Sequence, residues 1–220
     1  MKVDVRGESF VLSPRRALVW PARRLLAVAD LHLGKAETFQ KSGLWLPSAA
    51  QANDLDQLRE LVRLHDVESV VFLGDLVHSA LGLTPDVIDL FATWLGEFPG
   101  QVTVTLGNHD QAIARRWPTA WSKANITDKL DVGDFKFQHI PPPDVPSPPG
   151  KFTWAGHVHP MVVLRSHNER LRLPGFAIKK ESGILPAFSS LAGGFTLRPM
   201  PAQRLYAVGS SQVFKCGHAD

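Results

Sequence analysis

Residues with ligand or acid–base chemistry gather in four short motifs. Asp30 and His32 form D-x-H, and Asp75 closes a G-D pair. Asn108, His109 and Asp110 follow Gly107 as G-N-H-D, and His157 and His159 form G-H-x-H. Positions i and i+2 of an extended segment share a side, so each D-x-H or H-x-H pair can converge on one point. Carboxylate, imidazole and amide oxygen without a thiolate suit Mn²⁺, Fe or Zn²⁺ in a mixed nitrogen–oxygen site, not a structural zinc cluster. The donors outnumber what one ion takes. One carboxylate can bridge two ions about 3.5–4 Å apart, and Asp75, central in the series, is the natural bridge. A lone D-x-H is more often a core histidine bonded to an acid; four motifs, each closing an apolar run, are not.

Those apolar runs are the elements that must position the motifs. LLAVAD (25–30), SVVFLGD (69–75) and QVTVTLGNHD (101–110) read as buried strands ending in loops. Helix-like stretches over 51–65 and 85–97 lie between them, and Leu55, Leu58, Leu61 and Val62 mark one face of the first. This alternation predicts an α/β fold with a mostly parallel sheet, in which ligand sites form at the carboxyl ends of strands. Beyond residue 120 or so, Phe135–Gln138, Phe152–Ala155, Met161–Leu164, Ile184–Phe188 and Arg204–Val208 look like strands without long helices between them. They predict a second sheet packed on the first. Residues 141–149 hold six prolines in nine positions and read as a stiff surface connector.

The 220 residues, 44% hydrophobic and 20% charged, fit one domain spanning 1–220. Lys+Arg 24 against Asp+Glu 21 leaves +3, too little to demand a nucleic-acid partner. Basic pairs such as Arg15/Arg16 and Arg115/Arg116 read first as solvated surface, otherwise as an anion-binding face. The single Cys216 excludes an intramolecular disulfide and fits an inert thiol in a reducing compartment. No signal peptide and no 18-residue apolar run is evident, so a cytoplasmic protein without a membrane span is expected.

The motif series D-x-H, G-D, G-N-H-D, a lone His and G-H-x-H resembles the calcineurin-like metallophosphoesterase superfamily over residues 30–159. The resemblance implies two facing mixed sheets flanked by helices, a four-layer sandwich. It places a first metal on Asp30, His32, Asp75 and His159, and a second on Asp75, Asn108, His139 and His157. His139 stands in F-Q-H-I-P, not in the commoner H-G context. ADLHLGK (29–35), GDLVHS (74–79) and LPAFSSLAGG (185–194) are similar to the bacterial ICC-like subgroup, which includes ligase-associated DNA damage response endonucleases. Pro174–Gly175 departs from that pattern, where relatives often carry a Cys.

Phosphate-ester hydrolysis needs an activated water, charge neutralisation at phosphorus and a protonated leaving oxygen; two divalent ions, Mn²⁺ foremost, would serve the first two. His109 adjoins Asn108 without being needed as a ligand, so by resemblance it protonates the leaving group, with Asp110 orienting its ring. His78, Lys35 and Arg116, together with Asn108, are candidates for binding substrate phosphate. His65, His167 and His218 need no chemistry: a helix end, a turn and a tail. The expected function is phosphodiester hydrolysis, DNA-directed and able to take single strands. The alternative is a hydrolase of a small ester such as a nucleotide or cyclic nucleotide. A binding module that lost catalysis fits poorly with an intact Asn108–His109.

Overall fold

The computed structural model describes residues 1–143, 150–165 and 169–216. The two sheets divide the chain in order. β1 (Lys2–Val5), β2 (Glu8–Leu12), β3 (Leu18–Trp20), β4 (Leu25–Val28), β5 (Ser69–Leu73), β6 (Gln101–Thr105) and β7 (Ala124–Thr127) lie side by side in sequence order in the first sheet. Its β1–β4 half is antiparallel and its β4–β7 half parallel. The second sheet contains β8 (Lys129–Val132), β9 (Phe135–Gln138), β10 (Phe152–Ala155), β11 (Pro160–Arg165), β12 (Arg170–Ile178), β13 (Ser182–Ile184), β14 (Phe195–Thr196), β15 (Arg204–Val208) and β16 (Val213–Lys215). Its path runs β14-β11-β12-β13-β10-β9-β8, with β15 and β16 branching from β12.

Alternation along β4 builds two cores from one strand. Leu26 and Val28 face α2 (Ala49–Leu64) and α3 (Pro85–Glu97), packing with Leu55, Leu58, Leu61, Phe91 and Trp94. Leu25 and Ala27 face the second sheet, where Phe10, Trp20, Phe135 and Trp154 meet with centroids 4.8–5.2 Å apart. Such aromatic pairs add about 0.5–1.5 kcal/mol each beyond burial. α1 (Lys35–Lys41) is a short helix behind the D-x-H loop.

The two mixed sheets and their flanking helices agree with the expected α/β sandwich. No α-helix follows residue 97 among the described residues, and a small cluster of Val162, Ala177, Ile184, Leu205 and Ala207 forms apart from the two larger cores. In the second half a β11–β12 hairpin, not a helix, carries the chain from β10 to the parallel strand β13. The strand expected over 184–188 stops at Ile184. Pro186 has no N–H for a ladder, and the segment crosses instead to the first sheet, where the Phe188 N–H donates to Ala29 O at 2.7 Å. Of the proline run, 144–149 lies outside the described residues, as do His167 and His218. Among the described residues no helix is long and apolar enough to cross a membrane. The Cys216 thiol is half-buried and burial raises its pKa, as an inert thiol requires.

Candidate metal centre

Every motif begins where a parallel strand stops. Asp30 and His32 follow β4, Asp75 follows β5, Asn108 follows β6, His139 follows β9, and His157 and His159 follow β10. The i, i+2 pairs converge, but not because the chain is extended. Asp30, His32, Asp75, His157 and His159 all have left-handed φ, between +46° and +69°. That conformation costs roughly 1–3 kcal/mol per non-glycine residue and persists only where the surroundings impose it. Here the loops are laced together: Asp30 N–H donates to Gly74 O, His32 N–H to Asp75 O, and Leu33 N–H to Leu76 O. The motif glycines give the room. A Cβ on Gly74 would lie 2.4 Å from the His139 ring, and one on Gly107 would lie 2.2 Å from Asp75 Oδ1.

Two donor groups result. Asp30, His32 and His159 form one, and Asp75, His139 and His157 the other, with the donor atoms of each group within 4.8 Å of one another. His32 Nε2 faces His159 Nε2 at 3.2 Å, and Asp30 Oδ1 lies 3.4 Å from the latter. In the second group, His139 Nε2 is 3.0 Å from Asn108 Oδ1, 3.0 Å from His157 Nδ1 and 3.4 Å from Asp75 Oδ2. The ring tautomers make this a test. His139 Nδ1–H donates to Leu73 O at 2.9 Å and His159 Nδ1–H to Gly193 O at 3.2 Å, so in the neutral rings each Nε2 carries the lone pair and turns it into its donor group. This mixed donor set, with both lone pairs turned inward, fits divalent metal.

The electrostatics divide the imidazoles. Burial, then His159, lowers the His32 pKa to about 3, leaving it neutral and ready to coordinate. Burial and the neighbouring His139 likewise lower His157. For His139 burial is outweighed by the hydrogen bond and charge of Asp75, and for His159 by those of Asp30, so both are raised. Asp75 moves the opposite way, because its bonds to His139 and His109 overcome burial.

His109 stands over this centre, its side chain 37% exposed, with Nε2 3.9 Å from Asp75 Oδ2. Asp110 does not orient it. That carboxylate is fully buried and accepts the backbone N–H groups of Leu76, Val77 and Gly107, tying the G-D loop to the G-N-H-D loop. The His109 ring is held instead by Nδ1–H donating to His78 O at 2.6 Å and by stacking on His78. His32, His78 and His109 thus form a third cluster of imidazoles on the rim. Lys35, half-buried at the start of α1, has its pKa lowered by burial, and His78 is lowered by burial first and then by the nearby Lys35 charge. Arg115 and Arg116 are exposed on the turn after Asp110 and make no side-chain hydrogen bond or ion pair among the described residues.

One support was invisible in the sequence. Arg16, read as solvated, is half-buried: Nη1 donates to Ser189 O at 3.0 Å beside buried Asp54, which accepts the Ser190 N–H at 2.9 Å. Together they pin the segment whose Gly193 carbonyl fixes the His159 tautomer. An acid inside a helical stretch with small polar residues after a proline was the only signal.

This arrangement of two sheets and one seam of donors has relatives. The family model of calcineurin-like phosphoesterases matches residues 23–175, and the chain belongs to that family. It is a metal-dependent phosphoesterase, a hydrolase of phosphate esters. Among solved structures, Pseudomonas putida nuclease MPE is 32% identical with a TM-score of 0.82, covering 98% of this chain and 99% of that one. The E. coli phosphoesterase Yfce is 16% identical with a TM-score of 0.44, covering 86% and 95%. No curated protein matches.

Proposed function

We propose that this chain is a binuclear, Mn²⁺-preferring phosphodiesterase of the cytoplasm that cuts DNA, single strands included, and works as one domain spanning 1–220. The observation that carries the DNA-directed reading is the end-to-end likeness to a nuclease at 32% identity. The gathering of these donors, with the His139 and His159 Nε2 lone pairs turned inward, supports the metal assignment: Asp30, His32, Asp75 and His159 hold one ion, and Asp75, Asn108, His139 and His157 the other. Bound there, the ions would supply an activated water and neutralise charge at phosphorus.

The chain's own residues do the rest. His78 O keeps the His109 proton on Nδ1 in the neutral ring, so Nε2 is free to take up a second proton and deliver it to the leaving oxygen. Its exposed edge gives that nitrogen access to substrate. Asp110 keeps the two loops in register, and through them the His109–Asp75 spacing. Asn108, Lys35 and His78 line the approach for phosphate, and Arg116 meets the strand farther out.

The test is a substrate panel on Mn²⁺-loaded protein: single-stranded DNA, bis-nitrophenyl phosphate, nitrophenyl phosphate and cyclic nucleotides. Phosphodiesters should be cleaved faster than monoesters, and DNA cleavage should weaken with salt as about two to four phosphate contacts would dictate. Arg115→Ala with Arg116→Ala should flatten that salt dependence. Rapid nucleotide hydrolysis without DNA cleavage would favour the small-ester alternative.

A further inference from the structure

Helix α2 buries Leu55, Leu58 and Leu61 in the helix-side core, yet its first turns also bury two polar side chains, Gln51 at 8% exposure and Asp54 at 4%. Residues three apart on a helix share a face. A buried polar group is costly unless paired, so its partner shows what it is for. Both of these bond across to backbone beside the metal centre.

Gln51 holds the D-x-H loop. Its Oε1 accepts the Gly34 N–H at 2.9 Å, and its Nε2 donates to Glu37 Oε1 at 2.8 Å, which fixes the way the amide faces. Asp30, His32 and Leu33 give their N–H groups to the segment 74–76; the Gly34 N–H, two residues past His32, goes to α2 instead. Asp54 holds the other flank. It accepts the Ser190 N–H at 2.9 Å and the Ser190 hydroxyl at 3.3 Å. Ser190 sits in a turn closed by Ala192 N–H on Ser189 O and by Leu191 N–H on Ser189 Oγ, and Arg16 donates to the same Ser189 carbonyl. Ser189 N–H meets Asp30 O at 3.4 Å, and Gly193 O, just past the turn, takes the His159 Nδ1–H.

Both contacts therefore serve the same group of donors. His32 and His159 belong to the first ion's set alone. The second set is held from elsewhere, His139 by Leu73 O and Asp75 by the His109 N–H, and among the described residues no α2 side chain bonds to it. We propose that Gln51 and Asp54 are positioning residues that set the affinity of the Asp30, His32, Asp75 and His159 site for its ion and leave the second site alone. The assignment rests on the binuclear reading above. A merely structural role would weaken both sites together, or neither.

The experiment titrates the full chain with Mn²⁺, followed by calorimetry and electron paramagnetic resonance. Wild type should take two ions whose signals couple through the shared carboxylate. Asp54→Ala and Gln51→Leu should each weaken the first ion about 10–100-fold, the usual effect of disturbing a ligand's support, with the second unchanged. At intermediate Mn²⁺ their spectra should then be those of an isolated ion. Asp54→Asn keeps an acceptor for the Ser190 N–H and should recover most of the loss. Leu61→Ala, buried farther along α2 and making no hydrogen bond with its side chain, is the control: it should lower Tm yet keep both affinities. Unchanged first-ion affinity in the polar variants, equal weakening of both ions, or the same selective loss in Leu61→Ala overturns the proposal. Fewer than two ions in wild type defeats the binuclear reading instead, and the ion-free protein then decides. At a pH where the rings are neutral, imidazole ¹⁵N spectra should show Asp54→Ala moving His159 toward the Nε2–H tautomer and Gln51→Leu shifting the His32 ring. Unshifted rings refute the positioning roles whatever the ion count.

Discussion

The two sheets contribute different chemistry to one seam. The first supplies both carboxylates, the amide and one imidazole: Asp30, Asp75, Asn108 and His32. The second supplies imidazoles only: His139, His157 and His159. The first-sheet imidazole is already neutral, with a pKa near 3, whereas two of the three second-sheet imidazoles are raised by first-sheet carboxylates. Each raised histidine therefore holds its proton more readily at the place where a metal ion would cross-link the sheets. Anion on one side and imidazole on the other is a seam that a divalent cation closes better than a proton does.

Removing the ions should have the largest effect. Excess chelator is expected to abolish hydrolysis, and Mn²⁺ should restore it better than Mg²⁺, because imidazoles suit Mn²⁺ over the strongly hydrated smaller ion. Loading should also tighten the two sheets against each other. At a hundredfold excess over Kd each site adds about 2.7 kcal/mol, or some 5–11 °C in Tm for a chain of this size. Full activity in chelator would refute the metal assignment, and an unchanged Tm would refute the cross-link.

Next comes His109, which belongs to the first sheet yet is not one of the expected ligands. His109→Ala should lower turnover of poor-leaving-group esters about 10²–10⁴-fold while both ions stay bound. Nitrophenyl esters should suffer least, since nitrophenolate leaves without a proton. Metal analysis of the variant separates the roles: loss of an ion would make His109 a ligand.

How legible this seam was in the sequence differs between the sheets for a physical reason. In the first, strand order follows chain order, and each candidate donor sits in a local motif, so Asp30, His32, Asp75 and Asn108 could be singled out directly. The helices over 49–64 and 85–97 were also legible, expected over 51–65 and 85–97, the first from its apolar face. In the second sheet the chain leaves β10, makes the β11–β12 hairpin and returns at β13, a path that no local pattern encodes. His139 carries no motif of its own and was identifiable only through family resemblance. The groups that set ring tautomers, Leu73 O, His78 O and Gly193 O, are backbone carbonyls, which every residue has. Asp110 was assigned to the wrong partner because sequence adjacency to His109 says nothing about where a buried carboxylate turns.

A glycine substitution tests whether the seam depends on close approach across the sheets. Gly74→Ala puts a Cβ 2.4 Å from the His139 ring at φ +71°. His139 must retreat, and affinity for the second ion should fall about 10–100-fold, the usual effect of disturbing a ligand's support. Gly133 also has positive φ, +56°, but a Cβ there meets nothing closer than 3.9 Å. Gly133→Ala should cost about 1–2 kcal/mol of stability and leave metal affinity alone. Equal metal loss in both variants would show that backbone strain, not ligand crowding, is responsible.

The smallest expected effect is on pH, and it isolates the second sheet. In the ion-free protein His139 and His159 have folded pKa values above that of an unfolded histidine, roughly 6.5. Their ion pairs with Asp75 and Asp30 therefore stabilise the fold fully below that pH and lose this contribution as pH rises through the raised values. Coordination demands that both protons leave, so the contribution of bound metal runs the other way and grows with pH. His32 adds nothing in this window, because it is neutral with or without an ion. The gap in Tm between Mn²⁺-loaded and ion-free protein should widen between pH 6 and 8. Each displaced proton is worth at most about 1.4 kcal/mol per pH unit, or some 3–6 °C. Replacing His159 by Gln, which cannot hold that proton, should reduce the slope of the gap as well as its size. A gap that is flat across this range would mean that no proton stands in the seam, and that the two sheets meet there on equal electrostatic terms.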